Sequence, residues 1–388
     1  MIPRFMVFAL CMLGSLTCVA HGGNINGEAT YISFSVPGGL GTYPMSINAS
    51  MTVTGYYNVS ATGARGFLRE ADGTITTFNV PGAIWTEPEG INAGGDITGF
   101  YELVAGVPRG FLRYADGRLI TFDPPPPVEG MALQSQPISI SDFDDIAGTY
   151  LYAWINFGTT RYPPQPAVFT RSRAGVFNTI PPQATFGPGF SSFWATAINW
   201  SGAVVGYFTG DVPSESGFVA HPDGYFGQFI VPGAYECSQQ TFPEGINAGG
   251  TITGWSYTCT SKTSADFTFE GFVLSPDGHL TTFQPPGTIL TSAPFFPTSD
   301  APPPYYESLT APRLLSINQA GDVAGSYTDA AGVQHGFVRN PYGTITSFDP
   351  TEGNQTTATS INDGGAIAGF YHYHAGGGPP VGFIRVPQ

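Results

Sequence analysis

The sequence predicts an all-β fold: a seven-bladed β-propeller of four-stranded antiparallel blades, with the N-terminal strand completing the last blade. Three observations carry that prediction. A segment typified by Ile91-Asn-Ala-Gly-Gly-Asp-Ile97-Thr-Gly99-Phe-Tyr101 recurs with isoleucine at 47, 91, 140, 198, 246, 317 and 361. A second segment, typified by Arg109-Gly110-Phe111-Leu112-Arg113, recurs with phenylalanine at 67, 111, 169, 218, 272, 337 and 383. A third, Leu119-Ile-Thr-Phe122-Asp-Pro124, follows the first six of these, but its seventh copy, Thr30-Tyr-Ile-Ser-Phe34-Ser-Val-Pro37, stands ahead of the first unit. Four short strands repeating about every fifty residues are the mark of propeller blades. A strand displaced to the front closes the ring and leaves no strand edge open.

Each unit reads as strand A (Ser-Ile-Asn), strand B (Ile-Thr-Gly-Phe-Tyr), strand C (Gly-Phe-Leu-Arg) and strand D (Thr-x-Phe-x-x-Pro). Asn and Gly after strand A supply the side-chain cap and the positive-φ position of a tight hairpin. Glycine inside strand B permits a close backbone approach. The phenylalanines of strands C and D are expected to fill the space between blades. Asp-Gly pairs at 72, 116, 223 and 277 mark the C-to-D turn.

Loop lengths separate the two faces. From the strand A isoleucine to the strand B aliphatic is six positions in every copy, whereas the D-to-A connection ranges from ten residues, Pro37 to Ile47, to thirty-two, Pro285 to Ile317. Antiparallel strands put the short A–B and C–D turns on one side and every long insertion on the other. Loops on a rigid scaffold carry function disproportionately. The insertions and their edges are rich in aromatics, and the candidate ligand-binding residues are Trp85, Trp154, Phe193, Trp194, Tyr235, Phe295, Tyr305 and Tyr306. Rings beside scattered carboxylates suit stacking on sugar faces, and they equally suit packing against one another.

These units resemble the HAF family of bacterial extracellular repeat proteins, over about residues 30–386. The third copy departs most, with Ser141, Asp144 and Val168 where Asn, Gly and Gly are usual. The resemblance implies a secreted repeat protein and brings no catalytic motif to transfer.

Residues 1–20 read as a signal peptide: Arg4 is followed by the apolar run Phe5 to Ala20, with small residues before the expected cleavage site. Residues 21–388 then form a single propeller domain, secreted to the extracellular space or periplasm, with no later membrane span and an expected monomeric state. Cys237 and Cys259 remain after cleavage as an expected disulfide. A net charge of −15 with Lys262 as the sole lysine argues against nucleic acid.

Chemistry is sparse. No nucleophile elbow, His-Glu-x-x-His or phosphate-binding glycine loop is present, and no cofactor is expected. His372 and His374 alternate as metal ligands would, without a third partner in the sequence nearby, so no metal is assigned. Asp142-Phe-Asp144-Asp145 reads as a solvated turn, because it lacks the glycine and distal glutamate of a calcium loop. Glu89 and Glu244 occupy equivalent places before the strand A isoleucine of the second and fifth units. The leading expectation is a non-enzymatic scaffold or binding module for a polysaccharide or extracellular partner. The alternative is a glycosidase or lyase using that carboxylate pair.

Overall fold

The computed structural model describes residues 29–125, 133–152, 155–157, 160–162, 166–180, 192–209, 215–232, 240–259, 267–287, 315–350, 354–373 and 378–388. Within them the chain is all-β, and no helix is long and apolar enough to cross a membrane. The expected signal segment, Cys237, Trp154, Tyr235, Phe295, Tyr305, Tyr306 and His374 lie outside the described residues.

The A strands are Thr42–Ile47, Trp85–Ile91, Leu133–Ile140, Ser192–Ile198, Gln240–Ile246, Leu315–Ile317 and Asn354–Ile361. Each pairs antiparallel with its B strand, B with C, and C with D. In the last sheet the outer strand is Thr30–Phe34, paired antiparallel with Val381–Val386. The chain's two ends are thus joined in one four-stranded sheet. Each A strand touches the A strand of the next unit, and Asn354–Ile361 touches Thr42–Ile47.

A second set of links runs along the same path through side chains. The hairpin asparagine of one unit donates from Nδ2 to the backbone oxygen at the same position in the next. The donors are Asn48 to Asn92, Asn92 to Ser141, Asn199 to Asn247, Asn247 to Asn318, Asn318 to Asn362, and Asn362 back to Asn48. Ser141, too short to reach Asn199, stands at the remaining step. The same asparagines cap their own turns through Oδ1, as Asn199 does for Ser201 and Ala203. Ser141 Oγ does likewise for Phe143 and Asp145.

Short turns share one side, as expected: Asp96 of an A–B turn accepts from Ala115 N of a C–D turn at 2.8 Å. In the C–D turns the residue after aspartate holds φ near +90°, as Gly73 at 93° and Gly224 at 94°. Only glycine adopts this cheaply. The A–B turns need the same conformation, and in the third unit Asp144 takes it at φ 64°. A bond from Asn92 Nδ2 at 2.8 Å and an ion pair with Arg173 at 3.3 Å hold Asp144 there. The acidic run at 142–145 is therefore a hairpin turn.

The strand B glycine has a cause inside its own unit. Strand A carries a β-bulge opposite it, for example between Pro44 and Ser46 against Gly55, or Pro88 and Gly90 against Gly99. A Cβ on Gly55 or Gly99 would collide with the strand A carbonyl across the bulge.

The core lies between units. The strand C phenylalanines are buried, Phe67, Phe111, Phe218, Phe272 and Phe383 completely. Phe111 meets the preceding unit's strand D ring Phe78 edge-on at 6.1 Å, and Phe272 meets Phe229 in the same way at 6.1 Å. Phe34 of the N-terminal strand does this for Phe67 at 6.0 Å. The arginine ending strand C lies over the same preceding ring, Arg69 over Phe34, Arg113 over Phe78 and Arg171 over Phe122, each at 5.0 Å. Such a contact contributes about 0.5–2 kcal/mol where it is partly desolvated.

The third unit shows a coupled exception. Strand C glycines pack beneath their own strand D ring, so that a Cβ on Gly336 would stand 2.5 Å from Phe348. In the third unit Val168 replaces the glycine, and the residue it faces is Ile180 in place of phenylalanine. The added methyls and the lost ring occupy the same space.

Candidate functional site

Strand A enters each unit from the long-loop side, so its first residues and the residues after the strand B glycine lie toward that side. There the side chains form two arcs of rings along the seams between units, half-buried except for the buried Phe242. One arc joins Phe370, Tyr43, Tyr56 and Trp85. Tyr43 stacks on Tyr56 at 4.6 Å, with Phe370 edge-on to Tyr43 at 5.2 Å and Trp85 5.9 Å from Tyr56. The other joins Trp194, Tyr207, Phe242 and Trp255, through stacked pairs at 5.0 and 4.2 Å and a T-shaped contact at 4.9 Å.

Each arc ends on a carboxylate held by an indole. Trp85 Nε1 donates to Glu87 Oε2 at 2.6 Å, and Trp255 Nε1 donates to Glu244 Oε1 at 3.2 Å. Glu87 is 3% exposed, and burial pushes its carboxyl up to about 7, with the bonds from Trp85 and Glu89 opposing the rise and the charge of Glu102 adding to it. Burial, joined by the charge of Glu87, likewise raises the Tyr56 phenol. Glu89, 8% exposed, is the residue displaced by the Pro88/Gly90 bulge. It lines a cavity of about 10 Å³ with Phe100, Gln136, Pro137, Ile138 and Thr149 of the second and third units.

Among the residues anticipated from sequence, Trp85 and Trp194 fall on the two arcs, one on each. Phe193 is corrected: it is 4% exposed and stacked on Phe208 at 5.0 Å, because alternation along strand A turns it into the core while Trp194 faces the seam. Glu89 is drawn to Glu87 and Glu244 to Trp255. The Cys259 backbone ends the strand Ile252–Cys259, and the pairing with Cys237 is not described. His372 Nδ1 lies 2.8 Å from Gly378 O, and no group of three metal-ligating side chains occurs among the described residues.

Sequence reading missed Tyr43, Tyr56, Tyr207, Trp255, Phe370, Glu87 and Gln136. A signal existed: Tyr56, Phe100, Tyr207, Trp255 and Phe370 each follow the repeated strand B glycine. A further polar clamp also escaped notice. His335 lies between Asp349 Oδ2, 2.6 Å from Nδ1, and Asp329 Oδ2, 3.2 Å from Nε2. Asp349 Oδ1 in turn accepts from Thr356 Oγ1 of the next unit at 2.5 Å. Burial alone would lower the imidazole pKa, but the two carboxylates outweigh it and raise it above 6.5.

No protein-family model matches the chain, and no curated protein is similar to it in sequence. Solved structures share its fold. A structure from a structural and mechanistic analysis of two prolyl endopeptidases matches with a TM-score of 0.52 at 10% identity, over 93% of this chain and 51% of the other. An acylaminoacyl peptidase from Pyrococcus horikoshii matches with a TM-score of 0.52 at 8% identity, over 91% of this chain and 51% of the other. The Aleuria aurantia lectin in complex with Fucalpha1-6GlcNAc aligns over 80% of this chain and 96% of its own, with a TM-score of 0.40 at 11% identity. The chain spans about half the length of the two peptidases.

Proposed function

We propose that the chain is a seven-bladed β-propeller of the HAF type, secreted, that binds a polysaccharide without turning it over. The contact between first and last A strands, the asparagine links and the shared last sheet support a closed ring. The binding reading rests on one observation. Two arcs of stacked rings, all part-buried except the buried Phe242, lie on the long-loop side, each with an indole-anchored carboxyl group at its end. Rings offer flat apolar faces to the C–H side of a sugar, while the part-buried Glu244 beside Trp255 adds an acceptor for its hydroxyls. Fixed stacking also keeps the ordering cost of binding low.

A glycan-array screen of the mature protein, with turnover assayed on each hit, tests this reading. Trp85→Ala and Trp194→Ala are expected to weaken binding at least about tenfold, with no hydrolysis or elimination by the parent chain. Retention of full affinity in the double variant would remove the arcs from the site. Turnover abolished by Glu89→Gln would instead favour a carbohydrate-active enzyme.

A further inference from the structure

Two residues break the repeat among the short turns, on the side of the molecule away from the aromatic arcs. In the A–B turns the second position after the isoleucine is alanine, aspartate or glutamine in the other units, and the third is serine, glycine or alanine. The fourth unit places Trp200 at the second position, and the third unit places Phe143 at the third. Their rings meet across the seam at 6.0 Å and 43°, yet Phe143 stays 56% exposed and Trp200 48%. A bond from Trp200 Nε1 to Ala248 O of the next unit at 2.9 Å fixes the indole there. This is also the step at which Ser141 fails to reach Asn199, so the ring contact ties the two units where the asparagine links are interrupted. A tie alone would bury its rings, whereas about half of each faces solvent. The turn itself needs neither ring, since the other five units form it with small or polar side chains.

The surroundings define the partner. Every A–B turn spans the same six positions, so none of them rises to wall a pocket around the two rings. Exposed aromatic anchors on such a level surface suit another protein, whereas small ligands take concave sites. Charge narrows the choice further. The A–B and C–D turns of these two units carry Asp142, Asp144, Asp145 and Asp223 against Arg173, which is drawn to Asp144 at 3.3 Å. Asp145 reaches the seam, its Oδ2 4.0 Å from where a Cβ on Gly202 of the fourth unit would stand. Arginine answers both features at once, because a guanidinium lies flat on an aromatic face and pairs with a carboxylate through its edge. We propose that the short-turn surface around Phe143 and Trp200 is a docking site for an arginine-bearing segment of another protein. It is separate from the arcs and does not depend on their binding a glycan.

Calorimetry of the full mature chain against two short peptides supplies the test. One alternates arginine with glycine, and the other carries citrulline in place of arginine, which keeps the shape and removes the charge. The citrulline peptide is expected to bind at least about tenfold more weakly. Phe143→Ser and Trp200→Ala install residues that other units carry at these positions and leave the net charge unchanged. Each should weaken binding of the arginine peptide, and the double variant should lower its affinity at least about tenfold. Trp85→Ala and Trp194→Ala, on the other side, should leave that affinity as it is, and a loss there would move the site to the arcs and overturn the proposal. Circular dichroism checks that each variant is folded, and if the double variant unfolds the two single ones decide. Failure of the arginine peptide to bind the parent chain overturns the proposal, as does equal affinity for the citrulline peptide. So does unchanged affinity in the folded variants, whether their stability falls or not: the rings would then only tie two units, and the peptide would be held by diffuse attraction to a chain of net charge −15.

Discussion

Single side chains do two jobs at the hairpin positions. An asparagine there caps its own turn through Oδ1 and reaches the next unit through Nδ2, as Asn362 does with Ala366 and Asn48. Serine at 141 manages only the first. Ser141→Asn is therefore expected to add the link to Asn199 and stabilise the chain by about 1 kcal/mol, the net worth of one hydrogen bond. A shifted denaturant midpoint with unchanged slope would register it. His335 behaves differently because its charge depends on pH. Its folded pKa is raised above 6.5, so its stabilisation is complete below that pH and is lost as pH rises through the folded value. Thermal melts across pH 6 to 9 should show this loss in the parent chain and a flatter profile in His335→Gln. An NMR titration midpoint at or below 6.5 would contradict the clamp.

Strand-level packing makes each unit depend on matched volumes. The glycine of strand C and the ring of strand D form one space, as the Val168–Ile180 pairing of the third unit shows. Gly336→Val should clash with Phe348 and cost about 2–3 kcal/mol. Adding Phe348→Ile should recover part of that loss, though the ring's contact with Phe383 at 6.2 Å and its cover by Arg385 at 5.0 Å would go. A double-mutant cycle in denaturant reads the coupling, and additive effects would refute it. Much of this was legible in sequence: the glycines, the recurrent phenylalanines and the Asp-Gly turns all fell where their conformational needs placed them. The bulge opposite the strand B glycine was not. A bulge inserts one residue without disturbing the repeat, because it recurs at the same place in six of the described strand A–strand B pairs.

At the scale of the molecule, the decisive contact joins residues about 350 positions apart. Thr30–Phe34 completes the last sheet, and Phe34 also packs on Phe67 and beneath Arg69 of the first unit. Deleting residues 30–34 should cost at least about 3 kcal/mol, from the loss of the Phe34 ring alone, and expose a strand edge. A lower melting temperature with self-association by light scattering is expected, and a peptide spanning residues 29–37 should reverse both. A deletion variant as stable as the parent would show that this strand does not hold the ends together.

The sequence by itself determined the strand quartet, the turn chemistry, the displaced N-terminal strand and the separation of short from long connections. These follow from periodicity and from conformations that only glycine, asparagine or aspartate adopt cheaply, so they are written locally. The tertiary structure alone decided which rings meet across a seam and why Phe193 is core while Trp194 is not. It also decided that Glu89 belongs with Glu87 and Gln136 (residues of two units) and not with its repeat equivalent Glu244. Repeat equivalence puts residues at matching positions in different units, whereas a site is made of unlike positions that packing brings together.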